Sequence, residues 1–378
     1  MNIIYENQII PEKFSSLTKE ILHNNDLQKY FQATFEGIKP NNYCGYLSIK
    51  NESYFIAPKI ASKDATNLNI FIYMLVYAYD IKLSNEDIAS FTNNQHRIFE
   101  IFIKFFSDKL LDELKKGIFK KYITLEENLK VLRGKYVIEK NFTNFYHQNI
   151  YCEYDEFSMD NELNRFFIYA IKVFKKFSSY QNLSRCELIL DEVEYSNIDF
   201  SRLKIYFDRM NSRYKYCYEL ALMILQKLIP MPSSNSQKSF AFLFDMAEVF
   251  EKFIGKIYQN IDPSTKVQHP KNFGNLQLKP DIMTDAMIVD TKYKVISNRD
   301  DLSTGDKYQM FAYGTNFGIK DTMLLYPKHF NKDFHNEDLK LGLDEKEVSL
   351  KMRCVDLVCE DVGYEGYIEK IIERLNSC

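Results

Sequence analysis

At 378 residues the chain is too long for one small domain and long enough for two or three packed units. Apolar residues make up 46% and charged ones 27%, the balance of a folded protein and not of a disordered chain. Lys and Arg number 49 against 52 Asp and Glu, a net charge of −3, which excludes a histone-like grip on nucleic acid through bulk positive charge. Any DNA contact must be local or shared with a partner.

The opening MNIIYENQII has neither the basic start nor the apolar core of a secretory signal. The longest apolar stretch, about Ile70 to Tyr79, is ended by Asp80, short of the roughly 18 residues a membrane span needs. Seven scattered cysteines, an odd number, argue against a disulfide framework. The close pair Cys354 and Cys359 has no second pair or His partner for zinc. These features predict a reduced, cytoplasmic protein with no membrane contact.

In chain order, residues 1–60 read as strand-rich, with short apolar runs such as YCGYLSI and SYFIAP broken by Asn, Pro and Gly. Three- and four-residue spacing predicts helices from Leu68 to about Leu83 and from Gln95 to Lys116. Gly117 to Phe145 turns β-like. Between Lys104 and Lys140 ten basic residues face six acidic ones, a local net of +4 that suits a solvated face or a nucleic-acid or partner surface. YDEFSMDNELNRFF opens a helical stretch for which Ser158, Asp160 or Asn161 can supply the cap. Helices then run to about Leu228. PMPSSNS, Pro230 to Ser236, reads as a linker. Beyond it come a helix from Phe240 to about Tyr258, a strand pair near 278–296, a helix near 306–314 and a strand at Thr322 to Tyr326, an order that suggests a mixed α/β unit. The acidic region 331–364, nine acids to five bases, is a solvated face or a partner surface.

The chemistry lies in LKPDIMTDAMIVDTKYKVI, residues 278–296. Asp290 and Lys292 interrupt an apolar strand and, two apart, share a face at roughly 6.6 Å. A hairpin turning at Thr284-Asp285 sets Asp281 opposite Ile288, so Asp281, Asp290 and Lys292 converge; a three-residue turn would reverse the parity and break the cluster. Two carboxylates hold a hard cation such as Mg²⁺, which activates water against a phosphodiester, while Lys292 orients that water or stabilises developing charge. D-x-K alone is equally a surface ion pair on an edge strand. Pro280-Asp281 upstream completes a PD-(D/E)-x-K pattern. Glu251 lies at the edge of the buried stripe Leu243, Met246, Ala247, Phe250, Ile254 and Ile257, within reach of the metal, and Glu248 is one turn earlier. In DKYQMFAYG, Gln309 and Tyr313 stack on one helical face, placed to bond a phosphate or to fix Lys292. Together these elements predict a metal-dependent nuclease in which Asp281, Asp290 and Glu251 bind the metal, Lys292 assists the water and Gln309 supports the site.

Further stretches carry a family likeness. VLRGKYVIEKNF, with Gly117 and Tyr122 upstream, is similar to an R-G-L…Y…L-R-G-R-I segment, and YDEFSMDNELNRFF to a Y-D-E-F-S-x-D-x-x-L-N-R signature. DMAEVFEKFI is similar to a D-M-x-x-L-F-E-x-F-V helix whose acidic position falls on Glu251. With GYLSI and FIAPKI, the chain resembles, from about residue 40 to 326, the McrC family, nuclease subunits of McrBC modification-dependent restriction systems. The resemblance implies an α+β, multi-domain chain. A mixed β/α domain over 1–152 would dock into the ring of a McrB-like hexameric AAA+ GTPase and stimulate it. A nuclease domain over 153–378 would comprise a helical lead-in 153–229, the linker 230–236 and a PD-(D/E)XK restriction-endonuclease-like α/β core 237–378.

The implied cofactor is Mg²⁺, with Mn²⁺ as a substitute. The implied substrate is double-stranded DNA, its methylated site recognised by the GTPase subunit in phage defence, and a second copy of the chain is a further partner to consider. None of the twelve glycines falls in G-x-x-x-x-G-K-[ST], so no nucleotide is expected on this chain. Two other readings stay open: a stand-alone RecB-like DNA repair nuclease, which shares the Q-x-x-x-Y helix, and a non-cutting regulatory adaptor of the GTPase.

Overall fold

A computed structural model of the chain describes residues 2–49, 52–81, 98–145, 148–199, 202–231, 239–360 and 362–377. They form two compact units, one made of Met1–Ile98 with Leu228–Cys378, the other of Phe99–Lys227. The expected boundary at 152/153 falls inside a strand, Ile150–Ser158, and does not divide the chain. The reason is a long-range pairing that local pattern does not reveal. Tyr43–Ile49 pairs antiparallel with Phe240–Asp245, so the start and end of the sequence share a sheet.

In the first unit that sheet has five strands, in the order Asn2–Tyr5, Glu52–Ala57, Tyr43–Ile49, Phe240–Asp245, Leu228–Pro230. Gly45, opposite Leu243, has φ 144°, and a Cβ there would meet the Phe242 carbonyl oxygen at 2.1 Å, which accounts for the glycine of GYLSI. Ile4, Leu17, Ile21, Leu47, Ile56 and Leu243 form the core beside it. The helix predicted from Phe240 begins only at Met246. Phe240–Asp245 is a strand because aromatic residues dominate it and it has partners on both edges, so Leu243 belongs to the sheet. Asp245 then caps the helix, accepting the Ala247 N–H at 2.9 Å. The predicted linker joins two neighbouring strands of this sheet: Met231 donates its N–H to the Ser239 carbonyl at 3.0 Å, and residues 232–238 lie outside the described residues.

The second sheet of this unit has six strands, in the order Lys266–Val267, Ile282–Met283, Met287–Thr291, Asp321–Pro327, Val348–Val355, Glu337–Leu341. Met287–Thr291, Asp321–Pro327 and Val348–Val355 are mutually parallel and antiparallel partners flank them, a mixed α/β arrangement. The helix Thr304–Phe317 connects the first two and comes close to the third. A Cβ on Gly314 would stand 2.6 Å from Val348 Cγ1, so only glycine allows this approach. Ile288, Met310, Leu324, Leu350 and Met352 fill the space between. The acidic stretch after residue 331 supplies the last two strands, with Val348, Leu350 and Met352 turned inward. The predicted 68–83 helix is Asp64–Ala78; residues 82–97 lie outside the described residues.

The second unit packs the helices Ile98–Lys115, Glu162–Phe174, Gln181–Ile189 and Lys215–Lys227 around buried Phe106, Phe166, Phe167 and Phe174. Its sheet runs Lys121–Leu129, Ile150–Ser158, Lys135–Tyr136. YDEFS, which leads into the expected caps, ends the middle strand, and the helix follows at Glu162. There Tyr154 donates to Glu127 at 2.8 Å and Thr124 to Asp155 at 2.7 Å, while the Arg133 guanidinium lies 3.9 Å from the Tyr154 ring centre. Of the three cap candidates, Asn161 takes the role, accepting the Asn164 N–H at 3.2 Å. Arg165 clamps Asp160 with two bonds of 2.7 Å, which gives the D-N-x-L-N-R part of the segment a structural reason. Among the described residues no helix is long and apolar enough to cross a membrane, and the described cysteines are unpaired by disulfides.

Candidate active site

The hairpin at 282–291 turns one residue later than expected. Thr284 donates its N–H to the Met287 carbonyl and its hydroxyl oxygen accepts the Met287 N–H, each at 3.0 Å, leaving Asp285-Ala286 as the turn. Ile282 therefore faces Val289 and Met283 faces Ile288. The pairing is displaced by two residues, so parity survives. Carried on by one residue, the register brings Asp281 level with Asp290 instead of Ile288.

Asp290 is 1% exposed and Lys292 Nζ stands 2.6 Å from its Oδ2. Gln309 lies against both: its Oε1 accepts from Lys292 Nζ at 3.0 Å and its Nε2 donates to Asp290 Oδ1 at 3.2 Å. The same Nε2 is 2.9 Å from the Tyr313 hydroxyl, which donates to the Lys279 carbonyl at 3.0 Å. The Q-x-x-x-Y face is thus a strut that holds the lysine; four-residue spacing on the Thr304–Phe317 helix makes it possible. Burial works against the Lys292 charge, but Asp290, Asp306 and Asp281 outweigh it and hold its pKa above the usual range. Burial pushes the Asp290 carboxyl up to about 6, Asp281 adding to the rise and Lys292 opposing it.

Asp281 has one committed oxygen. Its Oδ2 accepts the Thr291 N–H at 2.8 Å and the Thr291 hydroxyl at 2.9 Å. Its Oδ1 faces Gln268 Nε2 at 3.0 Å, and the same amide donates to Glu251 Oε1. Glu251 is raised to about 7, by burial first and by the charges of Asp281 and then Asp290 next, with Lys279 and Lys252 opposing. Glu248 faces elsewhere, accepting from Lys252 at 2.8 Å and Tyr79 at 3.3 Å. The structure brings Asp290, Lys292, Gln309 and Tyr313 into one bonded chain and sets Asp281 and Glu251 about a single amide. As they stand, no three His, Cys, Asp or Glu side chains among the described residues are arranged to hold a metal ion.

Sequence reasoning missed Gln268 and Asp306. Asp306 balances the site's lysines, 2.6 Å from Lys294 Nζ and 3.9 Å from Lys292 Nζ. Its position beside Ser303, whose Oγ accepts the Asp306 N–H at 3.0 Å, reads only as a helix start. Gln268, in the bend just after the short strand Lys266–Val267, belongs to no periodic pattern.

The molecule is a mixed α/β, multi-domain protein whose fold is found in a restriction assembly. Over 99% of each chain, at TM-score 0.60 and 19% identity, it matches a chain of the half-complex from the tetradecameric assembly of Thermococcus gammatolerans McrB AAA+ hexamers with bound McrC. It also matches the Thermococcus gammatolerans McrBC complex, covering 68% of this chain and 86% of that one, at TM-score 0.47 and 22% identity. No curated protein matches. A model of the McrBC 5-methylcytosine restriction system component family matches residues 38–327, close to the 40–326 span of the motifs. The chain belongs to that family.

Proposed function

We propose that this chain is the DNA-cleaving subunit of a McrBC-type restriction complex, a Mg²⁺-dependent endodeoxyribonuclease working with a GTP-hydrolysing AAA+ partner that it stimulates. The observation that carries this reading is the Asp290–Lys292–Gln309–Tyr313 chain with Asp281 and Glu251 beside it, drawn from one mixed sheet and its flanking helices. The donor chemistry fits a hard divalent ion. Asp281, Asp290 and Glu251 offer carboxylate oxygens; burial first, and the neighbouring Asp281 charge second, raise the proton affinities of Glu251 and Asp290, and a bound cation would offset both. These three would hold Mg²⁺, which when bound polarises a phosphodiester and acidifies a water. Lys292 presents ammonium N–H donors to charge developing on the phosphate, and Gln309 and Tyr313 keep it in place.

Docking to the GTPase ring falls best to the second unit, within the stretch before residue 153 first expected to carry it. Tyr122, Val131, Leu132, Tyr136, Ile138 and Phe142 are all exposed there. So much apolar side chain left in water marks a protein contact. The test mixes the purified chain, Mg²⁺ and methylated duplex DNA with the AAA+ GTPase encoded beside it. Cleavage that requires both partner and GTP is expected; cleavage by the chain alone would turn the reading to a stand-alone nuclease.

A further inference from the structure

Gln268 is used by nothing above, yet its amide touches two of the three acids proposed to hold metal. Its backbone is left-handed, φ 50°, which a glutamine adopts only at a cost. Its N–H is anchored to the Asp281 carbonyl at 2.8 Å, so the residue is tied to the hairpin and its side chain is aimed at the site. A turn needs none of the side-chain contacts that follow. Nε2 donates to Glu251 Oε1 and, at 3.0 Å, to Asp281 Oδ1. With Asp281 Oδ2 committed to Thr291, Oδ1 is the oxygen best placed to face a cation, and Gln268 covers it.

A Mg²⁺ ion shared by Glu251 and Asp281 would approach those same oxygens to about 2.1 Å. An amide nitrogen within hydrogen-bond reach of both already fills that space. We infer that Gln268 is a cation stand-in: its amide occupies the metal's place between Glu251 and Asp281, eases their repulsion without metal, and swings out when metal binds. It is a positioning residue that sets metal affinity, an inference that rests on the metal-site reading above. The amide orientation follows from the same contacts, because a flipped carboxamide would turn its carbonyl oxygen against two carboxylates.

The test is Mn²⁺ binding to the full chain by calorimetry after removal of bound metal, with melting measured in EDTA and in saturating Mn²⁺. Gln268→Ala is expected to bind Mn²⁺ about tenfold more tightly, since the metal no longer displaces hydrogen bonds to charged acceptors. It is also expected to melt lower than wild type in EDTA, the gap closing with Mn²⁺. Gln268→Asn tolerates the left-handed backbone but is too short to span both acids, and should shift affinity the same way should the alanine variant fold poorly. Equal or weaker binding in a folded variant overturns the inference. If Asp281→Asn abolishes binding in that same series, the metal site itself stands. A wild-type chain that binds no Mn²⁺ removes both.

Discussion

Replacing Glu6 with Gln removes a buried ionisable group while keeping its shape and an acceptor oxygen. Glu6 is 3% exposed and accepts from the Tyr293 hydroxyl at 2.6 Å, the Lys59 N–H at 3.0 Å and the Cys44 thiol at 3.7 Å. Burial outweighs these bonds and raises its pKa from 4.5 to about 7. The folded state therefore holds this proton more tightly than the unfolded chain. Its stabilising effect is complete below about pH 4.5 and is lost as pH rises through 7. A rise of about 2.5, at about 1.4 kcal/mol per pKa unit, amounts to about 3 kcal/mol. Urea unfolding of wild type and Glu6→Gln between pH 4.5 and 8 measures it. The variant should gain about 3 kcal/mol on wild type across that range; Asp290 and Glu251 drift in the same sense but are common to both proteins. Parallel stability curves would refute the reasoning. The site matters because Tyr293 follows Lys292, so Glu6 ties the first strand to the segment carrying that lysine.

Gln309→Leu removes the amide that accepts from Lys292 and donates to Asp290, leaving only their mutual ion pair; partner-dependent cleavage should fall about 10- to 100-fold with little loss of DNA binding. Gly314→Ala drives a methyl into Val348 and should lower unfolding free energy by about 1–3 kcal/mol in urea titrations, with Val348→Ala restoring most of it. Arg165→Lys loses the two-pronged clamp on Asp160, a partly exposed pair, and should cost about 1 kcal/mol or less in the same assay. Phe142→Ser and Tyr122→Ser should weaken capture by the GTPase ring without altering the chain's melting temperature, as both side chains are exposed.

Much of the site was legible because its residues lie close in sequence. Asp290 and Lys292 share a strand face, Gln309 and Tyr313 a helical face, and Asp281 enters by a hairpin whose parity survived a shifted turn. What was not legible depends on distant pairing. FAFLFD reads as the start of a helix until Tyr43–Ile49 is seen to pair with it, and that pairing also removes the expected boundary at 152/153. Gln268 is silent in sequence for the same reason, since only the fold brings residue 268 to Glu251 and Asp281. In YDEFSMDNELNRFF the caps were legible and Asn161 does open the helix, whereas the strand that YDEFS ends depends on pairing with Lys121–Leu129.

The central claim is that the Asp290 site cuts DNA when an AAA+ partner acts. The most direct measurement follows DNA cleavage and GTP hydrolysis in one reaction containing Mg²⁺, methylated DNA, the GTPase and either wild type or Asp290→Asn. Asp290→Asn, nearly isosteric at a buried position, should abolish cleavage while still stimulating GTP hydrolysis as wild type does. Cleavage by Asp290→Asn at the wild-type rate would contradict the account.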